Sequence, residues 1–215
     1  MKKIIRYIGI LLIIISITSL GIISYRKYKT YKLQQDMIAL FNEIPSSNVN
    51  YNNTDYNSDT EIYYNDIDEN TNEKSLLEEY QDYNPIAIIE IPSINVQQVL
   101  MEGVDDSTLQ YFLGHMNGTA LPGENGNMAI AGHCYSDYAS VFENLYMLQY
   151  GDSINVITKT DMYVYTVTDN FTVYPDETYV LDDTTEPTIT LITCTPSTTQ
   201  RVIIKGYLSE KIRID

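Results

Sequence analysis

Apolar and polar positions divide the chain into three regions. The first is a nearly unbroken apolar run, Tyr7–Ile23, which contains no charge and is about long enough to span a hydrocarbon core as a helix. The second, Asn42–Asn84, is crowded with polar and acidic residues and shows no sustained period, which is typical of a disordered or loosely ordered spacer. The third begins at Pro85 and alternates short apolar runs with turn residues. We therefore predict an anchor at residues 1–32, a stalk and linker at 33–84, and a folded domain at 85–215.

The third region predicts a mainly β domain. Runs with strand character recur between turn signals: Ile86–Ile91, Val96–Met101, Asn127–His133, Ser153–Thr158, Met162–Val173, Thr188–Thr193 and Arg201–Tyr207. Asp105 or Asp106 could cap a short helix that ends near Tyr111. An apolar stripe at Val141, Leu145 and Leu148 predicts a second helix over residues 138–150. About eight strands with one or two short helices indicate a closed β-barrel.

Charge is segregated along the chain. Residues 1–32 hold seven of the 13 Lys and Arg residues and no acid, whereas all 29 Asp and Glu residues lie beyond them. Such an asymmetry indicates that the two parts meet different surroundings. The acidic domain shows no basic stripe and no nucleic-acid motif, so we expect no nucleic-acid partner.

The apolar run Tyr7–Ile23 has two interpretations, an uncleaved signal anchor and a cleaved signal peptide. The run is long for a signal-peptide core, and the segment Thr18–Gly21 is a poor cleavage site. We therefore favour an anchor that holds the protein in a membrane. Basic residues flank both ends of the run, so the positive-inside rule does not orient it.

Three chemically capable residues stand at the ends of predicted strands. Cys194 ends the run Thr188–Thr193, Arg201 begins the next run, and His133 closes an earlier one. A thiol is a nucleophile only as thiolate or beside a base, and the chain has two histidines, so His115 is the rival base. Arginine cannot lose its proton, but its donors suit an oxyanion or a substrate carbonyl. Taken alone, these residues also fit a buried core thiol and a surface arginine.

The segment around Cys194 resembles the signature of the sortases, the cysteine transpeptidases of Gram-positive cell surfaces. That family's pattern is a TLxTC strand, an Arg that opens the next strand, and an upstream His that ends a strand. This chain has TLITC at residues 190–194, followed by Arg201 and preceded by His133. The stretch Gly114–His133 also looks like the family's segment before its histidine. The resemblance covers about residues 84–209.

The resemblance implies a sortase-type barrel with Cys194 as nucleophile, His133 as general acid and base, and Arg201 at the oxyanion or substrate carbonyl. Thr193, Ala131 and His115 are candidate substrate contacts. The implied partners are surface proteins with a C-terminal LPxTG-like sorting signal, and an amine of peptidoglycan or its lipid-linked precursor. The implied location is the cell membrane, with a single pass, the amino terminus inside and the catalytic domain outside.

The class of sortase stays open between A-like and D-like. The segment GTALPGE resembles members that attach proteins to peptidoglycan, including class D, whereas the six-residue connection TPSTTQ between Cys194 and Arg201 looks shorter than in many class C or D members. A pilin-linking sortase, a thiol peptidase that transfers the acyl group to water, and an inactive surface-binding barrel remain alternatives.

Two further features bear on the chemistry. If His133 keeps strand geometry, Cys134 points to the opposite face, so we expect a small buried residue and no bridge to Cys194. No cofactor is required by this chemistry. Calcium is possible, because some sortases use it at corresponding loops and because carboxylates suit it; an acidic surface loop is the rival interpretation. The candidate ligands are Glu124, Asp176, Glu177, Asp182 and Asp183.

Overall fold

A computed structural model of the protein describes residues 2–43, 85–136, 138–139 and 141–214. The first element is a continuous helix of 42 residues, α1 (Lys2–Glu43). It contains the apolar run, and its most apolar stretch is not buried against the rest of the protein. This helix is long and apolar enough to cross a membrane, which fits the predicted anchor. The predicted spacer at residues 44–84 lies outside the described residues.

Eight strands form a closed barrel, and the predicted fold is therefore confirmed. The strands are β1 (Pro85–Ile91), β2 (Val96–Glu102), β3 (Leu113–His115), β4 (Gly126–Ala131), β5 (Ser153–Ile157), β6 (Asp161–Val173), β7 (Pro187–Cys194) and β8 (Arg201–Arg213). Their order around the barrel is β1-β2-β3-β4-β7-β8-β6-β5, and β5 closes the ring by pairing with β1. The pairs β2–β3 and β4–β7 are parallel, and the other neighbours are antiparallel.

The barrel interior is filled by apolar side chains from all eight strands, and the short β3 contributes Leu113. β5 shows the alternation that a half-buried strand requires: Ile154 and Val156 are buried, while the residues between and beside them are partly exposed. β4 is buried at five of its six positions, so both of its faces are covered, whereas β7 is buried at four of eight.

One predicted helix is confirmed and one is wrong. The short helix α2 (Asp106–Tyr111) is capped by Asp105, whose carboxylate accepts a hydrogen bond from the Thr108 amide at 2.9 Å. Hydrogen bonds from Ser107 and Thr108 lower the pKa of Asp105 to about 2. The second helix does not form.

Residues 138–150 contain a single 3-10 turn, Leu145–Met147, in place of the predicted helix. The amide of Phe142 donates to the carbonyl of His133 at 3.0 Å, a bond nine residues back that an α-helix cannot make. Leu145 and Leu148 are buried as the stripe predicted, but a loop delivers them to the core. The apolar spacing therefore reported burial correctly and secondary structure incorrectly.

The second half of α1 packs on the outside of the barrel. Leu33, Met37 and Leu40 form an apolar cluster with residues of β2 and with Phe112, which follows α2. The side-chain amide of Gln34 bridges the two parts, because it accepts from the Val99 amide and donates to the Tyr111 carbonyl. The ammonium of Lys159 lies 4.2 Å from the centre of the Phe41 ring. Residues 33–41, which the sequence analysis grouped with the linker, thus lie against the barrel.

This docking predicts different outcomes for two truncations. Removing residues 1–32 should give a soluble protein with a nearly unchanged melting temperature, because the buried part of α1 remains. Removing residues 1–43 should reduce the free energy of unfolding by about 3 kcal/mol or more, since Met37, Leu40 and Phe41 each contribute about 1.5–3 kcal/mol by burial. Thermal unfolding of the two proteins measures the difference. Equal melting temperatures would contradict the docking of α1.

Candidate active site

Two parallel strands bring the Cys194 and His133 segments to the same edge of the barrel. β4 pairs with β7 in parallel as far as Ala131 and Ile192. One step further, the Gly132 amide donates to the Ile192 carbonyl at 3.1 Å. The Thr193 hydroxyl then donates to the Gly132 carbonyl at 2.7 Å. His133 and Cys194 are the next residues on their respective segments, so these two bonds fix the position of one relative to the other.

The β7–β8 connection places Arg201 directly across from Cys194. The two are paired residues at the ends of antiparallel strands, as the hairpin predicted. Thr195 and Gln200 close the turn through a backbone hydrogen bond of 3.0 Å, and Thr198 reverses the chain with a φ of 60°. The Arg201 Nη1 donates to the carbonyls of Thr198 and Gln200 at 3.3 and 3.2 Å. These bonds hold the guanidinium at the turn, beside the thiol-bearing strand end.

The backbone before and after His133 is tightly packed. A Cβ added at Gly132 would lie 2.5 Å from Leu113 Cδ2 and 2.8 Å from Phe142 Cδ2. Only glycine therefore lets the chain pass between these two buried side chains without displacing one of them. The His133 carbonyl accepts a hydrogen bond from the Phe142 amide, and this bond joins the end of the loop after His133 to its beginning. His133 and Cys194 are both partly exposed, as groups that meet a substrate must be.

Cys134 is the small buried residue that the sequence predicted, but not for the predicted reason. It is 4% exposed, and both cysteines are free thiols. β4 ends at Ala131, so strand alternation does not govern residues 133 and 134. Burial raises the pKa of the Cys134 thiol, and the negative charge of a Cys194 thiolate raises it further. Burial and the raised pKa both make Cys134 a poor nucleophile.

A family model described as the Sortase domain matches residues 89–209, which is more than half of the chain. The chain belongs to the sortase family. Sortase A of Listeria monocytogenes is 31% identical over 127 residues, which are 58% of this chain and 57% of the relative. Sortase D of Bacillus subtilis is 29% identical over 94 residues, which are 44% of this chain and 46% of the relative. The chain thus matches about half the length of these curated relatives.

The barrel is also similar to solved sortase structures. A Clostridium perfringens structure described as a sortase D5 transpeptidase is 36% identical and superposes with a TM-score of 0.56, over 66% of this chain and 91% of that chain. Relatives named sortase A and sortase D both match, so the class of this sortase stays open.

The rival histidine, His115, lies in a buried polar cluster of the sortase barrel. It is 1% exposed. Its Nδ1 lies 2.8 Å from a carboxylate oxygen of Glu102, and its Nε2 lies 3.0 Å from both the Ala120 carbonyl and the Thr119 hydroxyl. Both ring nitrogens therefore have partners inside the protein, and the ring is not accessible to a substrate in this arrangement. His115 joins β2, β3 and the loop before β4.

The other two candidate substrate contacts, Ala131 and Thr193, make structural contacts within the barrel. Ala131 is the last residue of β4 and pairs with Gly114 on one side and Ile192 on the other. Thr193 is 4% exposed and uses its hydroxyl for the bond to Gly132. The role of Thr193 as a positioning residue was not predicted, because threonine recurs along this strand and nothing in the sequence sets Thr193 apart.

Three of the five calcium candidates are engaged in loop hydrogen bonds. Glu124 accepts from the Leu121 amide at 3.1 Å, and Glu177 accepts from the Tyr174 amide at 2.6 Å. Asp183 accepts from the amides of Asn127 and Thr184. Within the described ranges, no group of three or more His, Cys, Asp or Glu residues is arranged to hold a metal ion. Asp176 and Asp182 lie on the same loop, between β6 and β7.

The loop between β6 and β7 is held by a residue that the sequence did not indicate. The side-chain amide of Asn127, which is 1% exposed, donates to the carbonyls of Val180 and Asp182. Its oxygen accepts from the Thr190 hydroxyl at 2.6 Å. Lys205 donates to the Val180 carbonyl at 2.6 Å. Burial lowers the pKa of Lys205. These contacts fasten the acidic loop to β4, β7 and β8.

Thr193→Val tests the bond between the two catalytic segments. Valine keeps the shape of threonine but leaves the Gly132 carbonyl unpaired, which should cost about 1–3 kcal/mol of stability. We expect kcat/KM for a sorting-signal peptide to fall by about tenfold or more, because small misplacements of reacting groups are costly. Thr190→Val is the matched control: it removes a similarly buried hydroxyl from the same strand but leaves the Gly132 bond intact. Equal activity loss in both variants would refute a positioning role for Thr193.

Loss of His133 should affect turnover, whereas loss of His115 should affect stability. His133→Ala should lower kcat by two or more orders of magnitude, about 10²–10⁴, with a small change in melting temperature. His115→Ala should lower the melting temperature, because Glu102 and the Ala120 carbonyl lose their partner, and the folded fraction should keep most of its activity. Turnover per folded molecule and thermal unfolding measure the two effects. Comparable turnover losses would leave the base unidentified.

Proposed function

We propose that this sortase is a membrane-anchored cysteine transpeptidase. It cleaves an LPxTG-like sorting signal between Thr and Gly and transfers the acyl group to an amine of peptidoglycan or its lipid-linked precursor. The observation that carries the proposal is the placement of Cys194 opposite Arg201, with the His133 segment hydrogen-bonded to the same strand end. A buried structural thiol would not require either neighbour.

In the first half of the reaction, Cys194 attacks the scissile carbonyl. Its proton passes to His133, and the thiolate sulfur bonds to the carbonyl carbon. The carbonyl oxygen becomes an oxyanion, which Arg201 stabilises with the donors of Nε and Nη2, because Nη1 is directed to the turn. The C–N bond then breaks, and His133 returns the proton to the leaving amine of Gly. The product is a thioester between Cys194 and the Thr carbonyl.

In the second half, an acceptor amine attacks the thioester. His133 removes a proton from the amine, the new C–N bond forms, and the C–S bond breaks. The proton returns to the Cys194 sulfur, which restores the enzyme. No step requires a cofactor. Transfer to an amine forms a new amide bond in place of the one that was broken. Transfer to water would release a carboxylic acid and would make the protein a thiol peptidase.

The anchor defines where this reaction occurs. α1 fits a single membrane pass, and the proposed orientation puts the amino terminus inside and the barrel outside, where sorting signals and wall precursors are found. Sealed vesicles that hold the full chain would show the orientation by protection from protease.

The proposed chemistry is tested by mixing the enzyme with a sorting-signal peptide, with and without an added oligoglycine amine. We expect a thioester adduct on Cys194 by mass spectrometry and an amide product only when the amine is present. Cys194→Ala should lose both, and Cys134→Ala should keep both, because the pKa of Cys134 is raised by burial. Hydrolysis at equal rates with and without amine would favour a thiol peptidase. An adduct on Cys134, or no reaction in a folded protein, would overturn the proposal.

A further inference from the structure

A groove separates α1 from the barrel just beyond the apolar run. Its volume is about 670 Å³. α1 forms one wall with residues that include Gly21, Ile22, Arg26 and Lys29. The barrel forms the other wall with two tyrosines, Tyr111 at the end of α2 and Tyr138 in the loop after His133. The groove is distinct from the site at the β7–β8 turn.

The groove continues the face of α1 that docks on the barrel. Ile22, Arg26 and Lys29 share a helical stripe with Leu33 and Met37, since their spacings of three or four residues return to one side of a helix. Leu33 and Met37 are buried against the barrel. Towards the amino terminus the helix and the barrel lie apart, and a Cβ at Gly21 would meet nothing within 4 Å. The groove therefore opens at the end that faces the membrane.

The groove changes from apolar to basic along the membrane normal. Gly21 and Ile22 belong to the apolar run, whereas Arg26 and Lys29 follow it directly. Gly21 and Lys29 lie about 12 Å apart along the helix axis, close to the distance from the upper acyl chains to the headgroups. None of the described residues that line the groove is acidic. This combination suits a molecule with an apolar tail and an anionic head.

A buried hydroxyl at the basic end also points to a polar ligand. Thr30 lines the groove and is 7% exposed. Its Oγ1 has no hydrogen-bond partner among the described residues. A buried hydroxyl without a partner is uncommon and costs free energy. Rotation of the Thr30 side chain would turn this hydroxyl towards the groove, where a phosphate oxygen would accept its hydrogen bond as well as those of the nearby cations.

The barrel wall provides aromatic groups at the same level. The rings of Tyr111 and Tyr138 pack edge to face with centroids 5.3 Å apart, and the Arg26 guanidinium lies 5.6 Å from the centre of the Tyr138 ring. Tyrosine is favoured at the membrane interface because its ring is apolar and its hydroxyl is polar. Both walls of the groove are thus suited to the headgroup region.

We propose that this groove binds one anionic phospholipid. Its phosphodiester lies against Arg26, Lys29 and Thr30, and an acyl chain lies along Gly21 and Ile22. The inference rests on the membrane insertion proposed above and not on the chemistry of Cys194. The lipid fills the gap between anchor and barrel and so holds the barrel at a fixed tilt to the membrane, beside the loop that follows His133.

The test uses the full-length protein in nanodiscs of equal phosphatidylglycerol and phosphatidylcholine. Native mass spectrometry after release from the nanodisc should find about one retained phosphatidylglycerol per protein. The variant Arg26→Gln/Lys29→Gln should lower its retention by about tenfold, because the charge-assisted hydrogen bonds to the phosphate are lost. Lys27→Gln/Lys32→Gln removes the same charge from faces of α1 that do not line the groove, and its retention should match the wild type.

Two further variants separate a built site from general attraction. Thr30→Val and Tyr138→Ala change no charge, and each should reduce retention, because one removes the hydroxyl donor and the other removes the barrel wall. Equal losses in the two charge-matched double variants would overturn the proposal in favour of diffuse attraction to basic residues. Normal retention in both Thr30→Val and Tyr138→Ala would also overturn it.

The outcome is independent of the catalytic proposal. Lipid retention does not use Cys194, so Cys194→Ala should retain lipid like the wild type and yet form no thioester. Extraction of the membranes with alkaline carbonate shows separately whether α1 is inserted. A protein that stays in the membrane and retains phosphatidylcholine and phosphatidylglycerol equally would contradict the proposed groove.

Discussion

The parallel pairing of β4 with β7 is the constraint on which the site depends. Parallel neighbours leave the sheet at the same edge, so the residues that follow Ala131 and Ile192 emerge side by side. The chain between them includes β5 and β6, and these strands close the far side of the barrel. Closure leaves no free edge along which β4 and β7 could slip by one residue. The bond from Thr193 to Gly132 extends this register to the reacting residues.

Buried polar groups near this strand pair have hydrogen-bond partners. Asn127 satisfies three partners at the start of β4, and His115 satisfies a carboxylate and a carbonyl beside β3. Each group would be costly to bury alone, and together they specify one arrangement of loops around the barrel. Cys194, His133 and Arg201 remain at the surface of this frame, partly exposed. Acyl transfer by a positioned thiol requires a rigid support for the reacting groups and access for the substrate.

The helix α1 imposes a second constraint, because its first half is exposed and apolar and its second half packs on the barrel. Its first half is apolar on all sides, as a lipid-facing helix must be, whereas its second half is apolar on the stripe that meets β2. The bonds of Gln34 to the barrel backbone make this contact specific. α1 and the barrel are therefore joined by packing, and basic residues lie between the apolar run and the docked part of the helix.

The sequence by itself predicted every strand except the short β3, a helix long and apolar enough to cross a membrane, and the positions of Cys194 and Arg201 at the ends of neighbouring strands. These properties are local: strand character, apolar length and the motif around Cys194 can be read without knowing what packs on what. The tertiary structure decided the rest. Residues 138–150 have a helical apolar stripe but form a loop, because the Phe142 amide bonds to His133 and the core accepts Leu145 and Leu148 without a helix. The roles of Thr193, Asn127 and His115 depend on partners 61, 63 and 13 residues away, and no pattern along the chain encodes such pairings.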